Sequence, residues 1–335
     1  MRILVTGVGG FLGGAVVREA LARGHEVRSV SRGAYPDLDS LGVASFQADL
    51  AQAGAELDAA LQHVDCVIHC AAKAGVSGKR EPYLRANHQG TVNLLAAAKG
   101  AGVTRFVHTS SPSVCFDGKD HVRAGNDLPH AARFLAPYPE SKSLAEKAVL
   151  AAHDGGAFHA CALRPHLIFG PGDPHLLPKL LDRARRGKLI QVGPGTNEVS
   201  LTFVENAALA HVLAAERLEP GAAIGGKAYF LSQTEPVNLW DWIRTVLQAL
   251  DMPPVRRRIS LGFAYRLGAF FEGLYALTRK SGDPPMSRFI AQQLATSHSY
   301  DMTQLARDLG YTERVSLAEA TDRAVADLRA RFSAR

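Results

Sequence analysis

A phenol and an ammonium stand one helical turn apart in Tyr138-Pro-Glu-Ser-Lys142. Residues four apart on a helix share a face, so Lys142 is expected beside Tyr138. A neighbouring cation favours the phenolate, which would bring the tyrosine pKa down from about 10 toward working pH. A phenol tuned in this way passes a proton to or from a carbinol oxygen while hydride moves elsewhere. Ser111, in Val107-His-Thr-Ser-Ser-Pro112, brings a hydroxyl that can hold the same oxygen. Asn87 lies in Leu-Arg-Ala-Asn-His-Gln-Gly-Thr, a helical stretch where asparagine is a poor choice, and a polar bridge to an active site would account for it. Tyr-x-x-x-Lys by itself is common, and its weight comes from what precedes it in the chain.

Thr6-Gly7-Val-Gly-Gly10-Phe11-Leu12-Gly13 follows an apolar run and opens a helical pattern. Glycines there allow a tight turn and a close approach of pyrophosphate to backbone, and the helix N-terminus offers amides to the phosphates. The end of the second strand selects the cofactor. An acidic residue would hold the ribose hydroxyls of NAD, whereas this chain has Ser31-Arg32, and Arg32 suits the 2′-phosphate of NADP. NADP is therefore expected, with NAD as the alternative. Asp49-Leu50 is placed to meet the adenine, although Asp49 equally suits a turn cap. Ala71, Ala72 and Lys73 are the residues past which the cofactor must run, and Pro165-His166 lies near the expected nicotinamide end.

These residues need a scaffold that brings them to one edge. Apolar strand-like runs near 2–6, 26–30, 43–47, 65–69, 104–109 and 158–163 alternate with helical patterns near 11–21, 55–62, 82–99 and 140–152. That rhythm implies right-handed βαβ units and a doubly wound parallel sheet of Rossmann type. The fold class is α/β. Residues 1–165 are read as the dinucleotide-binding domain. Residues 166–335 are read as a smaller, mostly helical substrate-binding region, partly interleaved with the last sheet elements.

Composition narrows the alternatives. A net charge of +6 from 38 basic and 32 acidic residues is mild, and the basic residues are scattered, so nucleic acid is not expected as a partner. Cys66, Cys70, Cys115 and Cys161 match no zinc spacing, no metal is expected, and the thiols read as small buried hydrophobes of a cytoplasmic protein. Residues 259–277 approach the length of a membrane span but contain Arg266 and Glu272, so no transmembrane segment is expected. The spacing of Leu267, Phe270, Phe271, Leu274 and Leu277 predicts an amphipathic helix, packed over the substrate region or resting on a membrane surface.

In order and spacing, the glycine turn, the strand-end serines, the helical Asn with Gly-Thr, and Tyr-x-x-x-Lys resemble an extended short-chain dehydrogenase/reductase. More narrowly, the chain resembles the 3β-hydroxysteroid dehydrogenase/isomerase-like branch. Arg164-Pro-His-Leu-Ile-Phe-Gly-Pro171 and Thr202-Phe-Val-Glu-Asn206 are similar to decarboxylating 4-carboxysterol 3-dehydrogenases. Ser31-Arg-Gly-Ala-Tyr-Pro-Asp-Leu38 and Pro285-Met-Ser-Arg-Phe289 are similar to bacterial 2-alkyl-3-oxoalkanoate reductases. The resemblance implies catalytic roles for Ser111, Tyr138, Lys142 and Asn87, with Ser110 as the alternative serine, and it implies a homodimer. It also implies an apolar substrate bearing a carbinol or ketone, of β-hydroxy/β-keto acid or 3β-hydroxysterol type. A carboxylate on that substrate would need a cation, for which Lys73 is the first candidate and His166 the second. Nucleotide-sugar epimerases and dehydratases of the same class usually carry an arginine at the position that matches Val199, which disfavours that alternative.

Overall fold

The computed structural model describes residues 1–52, 54–75, 77–278 and 282–333, with the side chain of Ser333 left aside. Its central element is a parallel sheet. Strands β1 (Arg2–Thr6), β2 (Glu26–Ser31), β3 (Ala44–Gln47), β4 (Cys66–His69) and β5 (Arg105–Thr109) form most of it. The strands His159–Pro165 and Ala228–Leu231 complete it beside β5. In space the order runs β3-β2-β1-β4-β5, then His159–Pro165, then Ala228–Leu231, seven strands in all. The order reverses between β1 and β4, and such a switch point is where open α/β sheets bind ligands.

Strand composition follows from burial. Ile3, Leu4, Val5, Val67, Ile68, Phe106 and Val107 are fully buried, as expected for parallel strands covered on both faces. Helices Phe11–Ala22 and Val204–Arg217 cover one face, contributing Val16, Val17, Ala20, Ala207 and Ala210 to that core. Helices Ala55–Leu61, Gly90–Gly100 and Pro137–Ala152 cover the other through Leu57, Leu61, Leu94, Ala98 and Val149. The second half of the chain thus returns to the sheet twice, once as a strand and once as a covering helix.

A second core holds the C-terminal region. Trp240, Trp242, Ile243 and Val246 of helix Leu239–Ala249 pack with Leu177 and Leu181 of helix Leu176–Arg185 and with Leu328 of helix Leu317–Ser333. A four-stranded sheet in the order Val237–Asn238, Glu198–Val199, His298–Tyr300, His121–Ala124 ties this region to the loop after β5. Among the described residues no helix is long and apolar enough to cross a membrane.

The amphipathic segment forms helix Leu261–Leu277, N-capped by the Ser260 hydroxyl, which accepts from the Phe263 amide at 3.2 Å. Its inner face is narrow, and only Ala264 and Gly268 are fully buried. Phe263, Phe270, Leu274 and Leu277 are exposed, with Leu277 at 83%. Packing against Val192, Met286 and Ala291 of the C-terminal region accounts for part of the expected apolar stripe, and the rest faces outward.

Candidate active site

Parallel register sets the strand ends level. Thr6 pairs with His69, His69 with His108, and Thr109 with Leu163, so one edge of the sheet collects polar residues from β1, β4 and β5. The glycine turn leaves β1 at that edge. Gly7 has φ +75°, and a Cβ there would stand 2.7 Å from the Ala71 nitrogen, so neither the backbone angle nor the space admits another residue. A Cβ on Gly13 would meet the Gly7 carbonyl at 2.2 Å. Helix Phe11–Ala22 begins at Gly10 with no side-chain cap, leaving the first-turn amides free to receive an anion. The turn fits a dinucleotide pyrophosphate.

Of the other expected cofactor contacts, Ala71 lies against this turn. Arg32 is exposed and enters no ion pair among the described residues. The Ser31 hydroxyl donates to the Gly33 carbonyl at 2.6 Å and shapes the loop. Asp49 accepts from the Ala51 amide at 3.0 Å and pairs with Arg85 at 3.2 Å, which is the turn-cap role, while Leu50 is buried in the core beneath it. Ala71 is fixed by donation from its amide to Thr6 Oγ1 at 3.2 Å, and Ala72 is exposed next to it.

Asn87 is buried in a π-helical turn, Leu84–Gln89. The wider turn accommodates a residue that a regular helix disfavours. Its side chain accepts from the Lys73 amide at 2.6 Å and donates to the Lys73 carbonyl at 3.1 Å and to Ser141 Oγ at 2.8 Å. One asparagine thus joins the loop after β4 to helix Pro137–Ala152, which carries Tyr138 and Lys142. Lys73 itself points elsewhere, its ammonium lying 5.1 Å from the Tyr83 ring centroid.

Ser111 and Tyr138 come together. A hydrogen bond from Ser111 favours the Tyr138 phenolate, but burial outweighs it and raises the phenol above its ordinary value. Ser111 also meets Ser113 Oγ at 2.9 Å, whereas Ser110 is buried behind it beside the Glu146 carboxylate. The cation expected to lower the phenol is turned aside. Lys142 is buried, donates to the Thr109 carbonyl at 2.6 Å and lies 3.2 Å from His108 Nε2. Burial brings its ammonium down to about 8, with Glu146 and Cys70 opposing.

A layer of buried polar residues supports this pair, and sequence reasoning gave none of it a role. His69 Nδ1 meets Thr6 Oγ1 at 2.7 Å and its Nε2 meets Thr91 Oγ1 at 2.9 Å. Thr91 donates to the Asn87 carbonyl at 2.5 Å, so His69 donates from Nε2 and accepts at Nδ1. His211 Nδ1 meets the Ala207 carbonyl and its Nε2 meets Thr109 Oγ1, at 2.7 and 2.9 Å. Burial depresses both histidines, His69 to about 3 and His211 to about 4, and they stay neutral. The available signal was a histidine inside an otherwise apolar strand, as in Phe106-Val-His108.

Farther along helix Pro137–Ala152, Glu146 accepts from Arg164 at 2.6 and 2.9 Å and meets His130 Nε2 at 2.7 Å. Arg164 and His130 pull its carboxyl down to about 2 against the opposing effect of burial. His166 is buried, with Nε2 2.6 Å from His298 Nδ1, and His298 Nε2 meets the Gln293 carbonyl at 2.8 Å. The carbonyl takes the His298 proton, so His166 donates from Nε2. Burial keeps His166 neutral, which removes it as a cation for a substrate carboxylate. Val199 is buried in its short strand.

A cavity of 170 Å³ adjoins the helix start, lined by Phe116, Arg133, Phe134, Pro139, Tyr265 and Phe289. Four aromatic rings share the lining with Asp117, Arg133 and Gln292, and Tyr265 comes from the helix with the exposed apolar stripe. The four cysteines are free thiols, and among the described residues no group of His, Cys, Asp and Glu could hold a metal.

A seven-stranded Rossmann-type sheet with Ser111, Tyr138 and Lys142 at its C-terminal edge defines an NAD(P)-dependent oxidoreductase of the extended short-chain dehydrogenase/reductase class. Residues 4–261 match the 3-beta hydroxysteroid dehydrogenase/isomerase family, and the chain belongs to it. It is 46% identical over 325 residues to a 2-alkyl-3-oxoalkanoate reductase of Stenotrophomonas maltophilia, covering 96% of this chain and 98% of that one. It is 36% identical over 329 residues to the decarboxylating sterol-4-alpha-carboxylate 3-dehydrogenase of Mus musculus, covering 97% and 90%. Among solved structures, MoeE5 in complex with UDP-glucose and NAD superposes with a TM-score of 0.75 at 26% identity, over 99% of this chain and 100% of that one.

Proposed function

We propose that this protein is an NADP-preferring reductase that interconverts a secondary alcohol and a ketone on a bulky apolar substrate. A 2-alkyl-3-oxo acid and its 3-hydroxy counterpart are the first choice, and a 3β-hydroxysterol or 4-carboxysterol the second. The observation that carries the reaction type is the Ser111–Tyr138 contact, with Lys142 held on the Thr109 carbonyl one helical turn further on. The substrate class rests on the reductase and the sterol dehydrogenase to which the chain is similar, both named for oxidoreduction of a carbonyl or carbinol near a carboxylate. The rings of Phe116, Phe134, Tyr265 and Phe289 in the cavity beside Pro139 suit an apolar part of the ligand, with Asp117, Arg133 and Gln292 beside them.

In this reading Ser111 holds the substrate oxygen and the Tyr138 phenol gives it a proton. When bound, the nicotinamide supplies the hydride. Lys142, fixed by Thr109 and His108, directs its remaining N–H toward the cofactor ribose, and Ser111 rather than Lys142 favours the phenolate left after proton transfer. Asn87 keeps the loop at Lys73 and the catalytic helix in register. The first-turn amides at Phe11–Gly13 take the pyrophosphate, with Arg32 at the adenosine end.

A nucleotide-sugar epimerase or dehydratase is the competing reading, since MoeE5 is described in complex with UDP-glucose. Val199 speaks against it. A buried valine offers no charge-assisted contact to a diphosphate. Pairing into a homodimer is part of the same proposal, and light scattering on the purified chain tests it. The function itself is tested by NADPH oxidation across 2-alkyl-3-keto acids, 3-ketosteroids and UDP-sugars. Turnover of the keto acids supports the reading, and turnover confined to UDP-sugars refutes it.

A further inference from the structure

Gly9 is a glycine for a reason its backbone does not supply. Its φ lies outside the left-handed region, so no conformational demand excludes a side chain. The space is taken instead by a tyrosine. A Cβ on Gly9 would stand 1.9 Å from Tyr35 Cζ and 2.1 Å from the Tyr35 hydroxyl oxygen. The polar end of the ring therefore lies directly on the pyrophosphate turn, and yet Tyr35 is 40% exposed and enters none of the cores.

The loop that carries it is built without using its polar groups. Ser31 Oγ donates to the Gly33 carbonyl at 2.6 Å, Gln47 Nε2 to the Arg32 carbonyl at 2.8 Å, and the Leu38 amide to the Tyr35 carbonyl at 2.9 Å. The Arg32 guanidinium and the Tyr35 hydroxyl, three residues apart on this loop, enter no hydrogen bond or ion pair among the described residues, and both residues are exposed. A plain packing role would bring the ring down on apolar atoms, whereas this ring rests on a glycine backbone with its hydroxyl over the turn.

We infer that Tyr35 and Arg32 together form the subsite for the 2′-phosphate of NADP, with the Tyr35 hydroxyl donating to a phosphate oxygen and its ring covering the ribose beside Gly9. This rests on the NADP reading proposed above. A phosphate monoester carries nearly two negative charges and accepts several hydrogen bonds, so a donor next to the arginine discriminates it from a bare hydroxyl.

Calorimetric titration of the full chain with NADPH and with NADH tests the assignment. Tyr35→Phe should weaken NADPH by about tenfold, the worth of one hydrogen bond to a charged group, and leave NADH within about twofold. Tyr35→Ala should weaken NADPH further, and Gly9→Ala, which drives the ring away, should reproduce the loss. An unchanged NADPH affinity in Tyr35→Phe, or equal losses for both cofactors, overturns the role of Tyr35. If the unmodified chain binds NADH as tightly as NADPH, the NADP reading itself fails.

Discussion

Lys142 lies 3.2 Å from His108 Nε2, and the histidine can accept from it only while neutral. His108 is fully buried, and burial together with Lys142 holds its pKa well below the ordinary value. With Nε2 accepting, its proton sits on Nδ1, a buried atom that has no hydrogen-bond partner among the described residues. An unpartnered buried donor is costly, so the arrangement exchanges stability for a fixed ammonium.

The alkaline limb of activity follows from this pair. Lys142 titrates near 8, so its charge, and with it the hold on the cofactor, should fade as pH rises through about 8. The stability effect has the opposite sign. A buried lysine with a lowered pKa penalises the fold while protonated, and that penalty lessens as pH climbs from about 8 toward its unfolded value. His108→Leu removes an acceptor and should move the activity limb to lower pH, while His108→Gln should largely restore it. A profile identical in His108→Leu and the unmodified chain would show that the contact does nothing.

Glu146 behaves in the opposite sense. It is fully buried against Arg164, and its carboxyl is held near 2. The group therefore contributes stability above its unfolded pKa, and loses that contribution as pH falls from about 4.5 to about 2. Glu146→Ala strands the Arg164 cation and should cost about 3–5 kcal/mol in chemical denaturation, as for other broken buried pairs. A loss under about 1 kcal/mol would mean the pair is solvated.

The outward face of helix Leu261–Leu277 bears Phe263, Phe270, Leu274 and Leu277, with Arg266 exposed on the helix and Arg256 and Arg257 just before it. Apolar side chains next to cations that form no ion pair among the described residues suit the surface of an anionic bilayer. Cosedimentation with phosphatidylglycerol vesicles should be strong for the native chain. It should fall by about tenfold or more in Phe270→Glu/Leu277→Glu, the loss expected from removing two buried apolar anchors. Equal binding by that variant, or none by either, counts against the contact.

The strands and the glycine turn were legible because burial on both faces of a parallel sheet leaves uninterrupted apolar runs, as in Arg2–Thr6 and Cys66–His69. Tyr138 and Lys142 were legible as a helical pair, but the direction of the lysine was not. Spacing puts two residues on one face, whereas the carbonyl of Thr109, which captures the ammonium, comes from a strand distant in sequence. The same limit hid His69, Thr91 and His211. Their partners come from elements distant in sequence; His69 and His211 are isolated polar residues in apolar runs, and Thr91 lies among other polar residues that do not single it out. Asn87 stood out because helices disfavour it, although the π-turn that accommodates it carries no sequence mark. The outward stripe on helix Leu261–Leu277 was visible as periodicity, but a period does not say which side meets the core.

The account depends on proton transfer by Tyr138, and single-turnover kinetics of Tyr138→Phe with NADPH and a 2-alkyl-3-keto acid test it most directly. The substitution keeps the ring and removes only the hydroxyl that faces Ser111. Loss of a positioned general acid should slow NADPH oxidation by about 10²–10⁴-fold while cofactor affinity stays nearly unchanged. A variant that oxidises NADPH at the native rate would contradict the mechanism.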